Sequence, residues 1–203
     1  MVDGRRERGR RTRESILRTA VQIATVEGID GITIGRLASE LGMSKSGLFA
    51  HFGSKEELQL ATIDTAREIF VDTIIAPARD AERGLPRLEA LMDNWLEYMR
   101  REVFRGGCFF DAVRGEYNSR PPGPVRDAVW NDFADWSTIL VNRVKSAQAE
   151  GHLDPAADPE QVAYELDALG GAANTRFQLD RDERWFDRAR EAIRARLTAL
   201  RVD

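Results

Sequence analysis

The stretch TIGRLASELGMSKSGLFAHF, Thr33 to Phe52, is where the fold becomes legible. Thr33 is a helix-capping residue type, and Leu37, Ala38 and Leu41 follow it at the spacing of one helical face. Gly42 comes next, where the chain must take a left-handed turn that other residues resist. Ser44 caps a second short run in which Leu48 and Phe52 stand four apart and face inward. The pattern predicts two short helices joined by a three-residue turn, a helix-turn-helix. The outward face of the second helix carries Lys45, Ser46, Gly47, Phe49, Ala50 and His51. These are small or basic groups that suit a DNA major groove. Two packed helices with no nucleic acid partner are the plainer alternative, and the rest of the chain weighs against it.

Around this stretch nearly every segment repeats its apolar residues at three or four, and no alternating run suggests a strand. Thr12 is placed to cap a first helix with Ile16, Leu17, Ala20, Ile23 and Ala24 on one face and Gly28 at its end. Ser54-Lys-Glu-Glu57 is a capping box for a fourth helix that should stop before Pro77. A fifth follows Pro86, a sixth spans about Cys108 to Tyr117, and a long seventh runs from Pro124 to about Glu150. Asp158-Pro159 opens an eighth and Asp180 a ninth. The expectation is an all-α chain of about nine helices. Residues 1–55 form a three-helix helix-turn-helix domain with a basic arm, and 56–203 form a helical ligand-binding and dimerisation domain.

Charge divides along the same line. Residues 1–55 hold ten Lys and Arg against six acids, whereas the other 148 residues hold 20 against 28. A basic head on an acidic body suggests that only the head meets a polyanion. Arg5, Arg6, Arg8, Arg10, Arg11 and Arg13 read as a solvated arm that contacts DNA transiently.

The segment Gly42-Met-Ser-Lys-Ser-Gly-Leu-Phe-Ala-His-Phe-Gly-Ser-Lys-Glu-Glu-Leu58 resembles the recognition-helix signature of the TetR family of bacterial transcriptional regulators. Thr12 to Leu17, and Gly28 with Thr33, Ile34, Leu37 and Ala38, resemble its upstream part. The resemblance implies a homodimer on a palindromic double-stranded operator, usually a repressor released by a small-molecule effector. By position, Thr33, Ser44, His51 and Lys55 match residues that hold phosphates, and Lys45, Ser46 and Gly47 sit where base edges are read. The family usually has tyrosine where this chain has Phe49. Phe49 either presses on a thymine methyl or is more buried.

In the body, aromatic residues crowd between positions 95 and 136. They are either plain core or, in part, the wall of an apolar cavity. The candidates for such a pocket are Trp95, Met99, Cys108, Phe109, Trp130, Phe133, Asn174 and Phe177, with Arg176 or Asp111 as further polar anchors. Gly170 and Gly171 stand in mid-helix, where each costs about 1 kcal/mol against alanine. They mark either close approach of another backbone or a kink. The first option makes Ala163, Gly170, Gly171, Asn174, Trp185, Ala189 and Ile193 a dimer interface.

Catalysis and cofactors find no support. Two histidines and one cysteine cannot build the usual His/Cys metal sites, and no phosphate-cradling glycine motif is present. The single cysteine excludes a disulfide framework, so a reducing, cytoplasmic setting is expected. No apolar run reaches the length of a membrane span, so no membrane partner is expected.

Overall fold

The computed structural model describes the backbone of residues 2–202; the side chains of Val2, Asp3 and Arg5, the last a member of the expected arm, lie outside the described residues. Nine helices are present among them: α1 (Val2–Glu27), α2 (Ile34–Leu41), α3 (Lys45–Phe49), α4 (Lys55–Phe70), α5 (Leu85–Arg100), α6 (Phe109–Tyr117), α7 (Pro124–Ala149), α8 (Pro159–Asp180) and α9 (Arg184–Thr198). The described residues contain no strand, only one antiparallel bridge between Leu153 and Arg201. The all-α expectation holds.

Two compact units form. The first joins the chain up to Glu68 with Phe104–Trp130; the second joins Ile69–Val103 with the chain from Asn131 onward. The sequence division at 55/56 carries no hint that a segment so far downstream groups with the head.

The first unit is organised around the short helices. Thr33 Oγ1 accepts the Arg36 N–H at 3.0 Å, and Ser44 Oγ accepts the Gly47 N–H at 3.1 Å. Gly42 takes φ 62°, and the Met43 N–H turns back to Ala38 O at 2.9 Å. Leu37, Leu48 and Phe52 are buried, together with Ile16, Ala20 and Ala24 of α1 and Leu58 of α4. Ser54 caps α4 through the Glu57 N–H, while Glu57 reaches back to the Gly53 N–H.

Two helix ends differ from the sequence reading. Thr12 does not cap α1; it lies inside the helix and donates to Arg8 O, and the arginine run continues α1 back to Val2. Arg10 pairs with Glu7 and Glu14, and Arg11 with Glu7, at the three- and four-residue spacings that favour helix. Pro77 does not stop the fourth helical run either. Behind α4 the backbone widens into a π turn, Val71–Ile75, and continues through Ala76–Ala78. A proline clashes with the carbonyl four residues back and has no N–H to donate, and a widened turn relieves both problems. Asn94 of α5 donates to Ile74 O in that turn.

The second unit centres on aromatic packing. Trp136 stands 5.2 Å from both Phe70 and Trp95, and Phe70 stands 5.9 Å from Tyr98. Trp136 Nε1 donates to Asp167 of α8 at 3.0 Å. α8 runs unbroken through its two glycines. The close approach at Gly170 is to an indole of its own chain: a Cβ there would lie 2.1 Å from the Trp95 ring. Ala163, Gly170, Asn174, Ala189 and Ile193 are accordingly buried within their own chain, where α8 and α9 pack on each other and on α5. Of the seven residues expected between two copies, only Gly171 and Trp185 are half-exposed.

Gly170→Ala should therefore destabilise the chain by about 1–3 kcal/mol through displacement of Trp95, as overpacked cores do. Urea unfolding followed by tryptophan fluorescence measures this, and an unchanged midpoint would contradict the packing described.

Candidate nucleic-acid interface

α3 is only five residues long, so most of its surface is either core or presented outward. Leu48 fills the core. Lys45, Ser46 and Ala50 are exposed, and Phe49 is 52% exposed, which resolves its two readings in favour of a surface ring. Gly47 is half-buried; a Cβ would meet Ser44 Oγ at 3.0 Å, so the glycine keeps the capped first turn narrow. Thr33 and Ser44 use their oxygens as cap acceptors, which leaves each hydroxyl proton able to donate to a phosphate. His51 is half-buried with its ring 6.4 Å from Phe52. Arg13 lies over the same core residue, its guanidinium 4.6 Å from the Phe52 ring.

Lys55 has a different setting from the other expected phosphate ligands. Its Nζ donates to Asp30 O at 2.9 Å and stands 3.8 Å from the Asp30 carboxylate. Asp30 also accepts from the Tyr117 hydroxyl at 3.1 Å, from Gln59 Nε2 at 3.2 Å and from Arg120 at 2.7 Å. Burial alone would raise the Asp30 carboxyl, but the bonds from Tyr117 and Gln59 and the charges of Lys55 and Arg120 outweigh it and hold the group below the usual aspartate value. Burial, and then Asp30 itself, pushes the Tyr117 phenol up. The stability carried by this cluster is whole at neutral pH and is lost as the pH falls through the lowered Asp30 value.

The structure thus brings Thr33, Ser44, Lys45, Ser46, Gly47, Phe49 and His51 together on and around α2 and α3, with Lys55 tied back at the start of α4. The meeting of Asp30 with Tyr117, and of its turn with Glu116, escaped the sequence reading. Residues 87 apart carry no local signal that they meet.

The expected pocket residues do not share one unit. Cys108 and Phe109 are buried in the first, with Phe109 5.3 Å from Phe110. Trp130, also in the first, is 56% exposed. Trp95, Met99, Asn174 and Phe177 are buried in the second, where Phe177 packs 4.9 Å from Phe186. Phe133 is half-buried and lines a groove of about 430 Å³ with Val141, Ala163 and Tyr164. Asp111 pairs with Arg114 at 2.9 Å, and Arg176 lies over Trp185. Among the described residues, no cluster of His, Cys, Asp and Glu could hold a metal ion, and no helix is long and apolar enough to cross a membrane.

Residues 16–62 match the family described as "Bacterial regulatory proteins, tetR family", and residues 84–193 match "Tetracyclin repressor-like, C-terminal domain". The class C tetracycline repressor protein of Escherichia coli is 27% identical over 163 residues, covering 77% of this chain and 68% of that protein. The HTH-type transcriptional regulator TcmR of Streptomyces glaucescens is 31% identical over 75 residues, which is 36% of this chain and 33% of that protein. A crystal structure of a TetR transcriptional regulator from Chloroflexus aurantiacus superposes with a TM-score of 0.89 over 97% of this chain and 100% of its own, at 23% identity, a likeness of fold. Matching over more than half its length, and carrying the helix-turn-helix described above, the chain belongs to the TetR family: it is a DNA-binding transcriptional regulator.

Proposed function

We propose that the chain represses transcription as a homodimer bound to a palindromic operator, and that a small apolar or amphipathic effector releases it. The observation that carries this reading is the outward face of α3, where Lys45, Ser46 and Phe49 stand exposed beside a helix start already capped by Ser44. Bases are read at Lys45, Ser46, Gly47 and Phe49, with the Phe49 ring against a thymine methyl. Thr33, Ser44, His51 and Lys55 hold phosphates, which fix position and register.

The two copies pair through the outward faces of α8 and α9. Gly171 and Trp185 remain from the sequence expectation, and the burial of their neighbours points to exposed residues in place of the others. Tyr164 is 70% exposed and Leu179 82%. Large apolar side chains this open on one helix support a surface that a second copy covers. The effector binds in the second unit, among Trp95, Met99, Phe133, Asn174 and Phe177. The buried indole N–H of Trp95 has no acceptor among the described residues, which supports a ligand that brings one.

Two outcomes test the reading. His51→Ala should weaken binding to the duplex that the protein selects from a random DNA pool by about five- to tenfold, the worth of one hydrogen bond, with folding intact. Unaltered affinity in a fluorescence-anisotropy titration would remove His51 from the phosphate contacts. Leu179→Glu combined with Tyr164→Glu should give a folded monomer by light scattering with operator binding largely lost. A persistent dimer would move the interface elsewhere.

A further inference from the structure

The turn between α1 and α2 is held from far away in sequence. Its own backbone supplies two bonds, Gly31 N–H to Gly28 O and Ile32 N–H to Ile29 O, each 3.2 Å. The N–H groups of Ile29 and Asp30 go instead to the Glu116 carboxylate of α6, at 2.7 and 3.1 Å. Gly28, at φ 79°, leaves the space for it: a Cβ there would stand 2.8 Å from Glu116 Oε2. Tyr117 and Arg120 then hold the Asp30 carboxylate, and through Asp30 the contacts reach Lys55 and Gln59 at the start of α4. The other end of the segment is fastened too. The Arg105 N–H donates to Gln22 Oε1 at 3.0 Å and the Gly106 N–H to Thr25 Oγ1 at 3.2 Å. Gly106 approaches α1 so closely that a Cβ would lie 1.9 Å from Thr25 O.

We propose that Glu116 and Tyr117 are positioning residues for operator binding: α6 clasps the Gly28–Thr33 turn and, through Asp30, sets both the tilt of α2 and α3 and the place of Lys55. The inference rests on the operator-binding reading above and adds to it residues that touch no DNA. Its physical content is direct. The turn runs directly into the Thr33 cap, so any change in its path re-aims α2 and, behind Gly42, α3. A carboxylate that accepts two backbone N–H groups makes charge-assisted bonds, stronger than the two neutral bonds within the turn. Lys55 is within reach of DNA phosphate only where Asp30 allows it, so displacement of α6 alters base reading and phosphate grip together.

Glu116→Ala and Tyr117→Phe, made in the full chain, test this. The probes are the duplex that the wild-type protein selects from a random pool and a shuffled duplex of the same composition. The expected result is a loss of about fivefold or more in affinity for the selected duplex, a smaller loss for the shuffled one, and a chain that still folds with its melting temperature lowered by only a few degrees. Hydrogen exchange at Ile29 and Asp30 should speed up in Glu116→Ala, and Glu116→Gln, which keeps one acceptor oxygen, should recover part of the affinity. Wild-type preference for the selected duplex with equal preference in both variants would overturn the positioning role alone. Absence of any such preference in the wild type would overturn the operator reading and this inference with it. Should Glu116→Ala fail to fold, Tyr117→Phe, which removes only a hydroxyl, decides the question by the same affinities.

Discussion

A helix of five residues does not stand alone in water, because too few hydrogen bonds repay the cost of its first turn. α3 exists only because Leu48, and Phe52 just beyond it, are buried where α2 packs on α3, while Ser44 supplies the first acceptor. Burial of each such side chain is worth about 1.5–3 kcal/mol, which exceeds what the short backbone can supply for itself. That dependence has a functional consequence. A helix whose inner face is spent wholly on holding it in place is free to vary its outer face, and there the chain shows lysine, serine, glycine and an exposed phenylalanine. The clasp from α6 extends the same logic to the preceding turn, whose amide groups are satisfied by a carboxylate that the head does not contain.

The second unit is built on different chemistry. Its centre is a set of edge-to-face and tilted aromatic contacts among Phe70, Trp95, Tyr98 and Trp136, made possible by a glycine on α8. Aromatic pairs of this kind add to simple burial and fix ring orientation. The buried Trp95 indole N–H, at the heart of this set, has no acceptor among the described residues, and a buried donor left so is costly.

The head was the most legible part of the sequence because its signals are local. Thr33, Gly42 and Ser44 lie within a few residues of the bonds they make, and the structure shows those bonds. Period alone misled where the identity of a neighbour mattered. Gly170 does mark a close approach, but a stripe of small residues looks the same whether a partner's backbone or the chain's own Trp95 lies against it. Arg6, Arg8, Arg10 and Arg11 are exposed, as in a solvated arm, but the helical path of the run rests on Glu7 and Glu14, which pair with Arg10 and Arg11 along α1. Pro77 looked like a stop because a π turn leaves no mark in composition. The Glu116 clasp was beyond reach for a simpler reason: its partners lie 86 and 87 residues away.

On the proposed function, the outward face of α3, presented twice, reads a DNA sequence. Selection of bound duplexes from a random pool by the purified chain, at about physiological salt, tests it most directly. The account predicts an enriched palindrome whose half-sites lie about one helical turn apart, roughly 34–36 Å. Binding that weakens steeply with salt but enriches no sequence would leave only phosphate attraction by the basic head, and would contradict it.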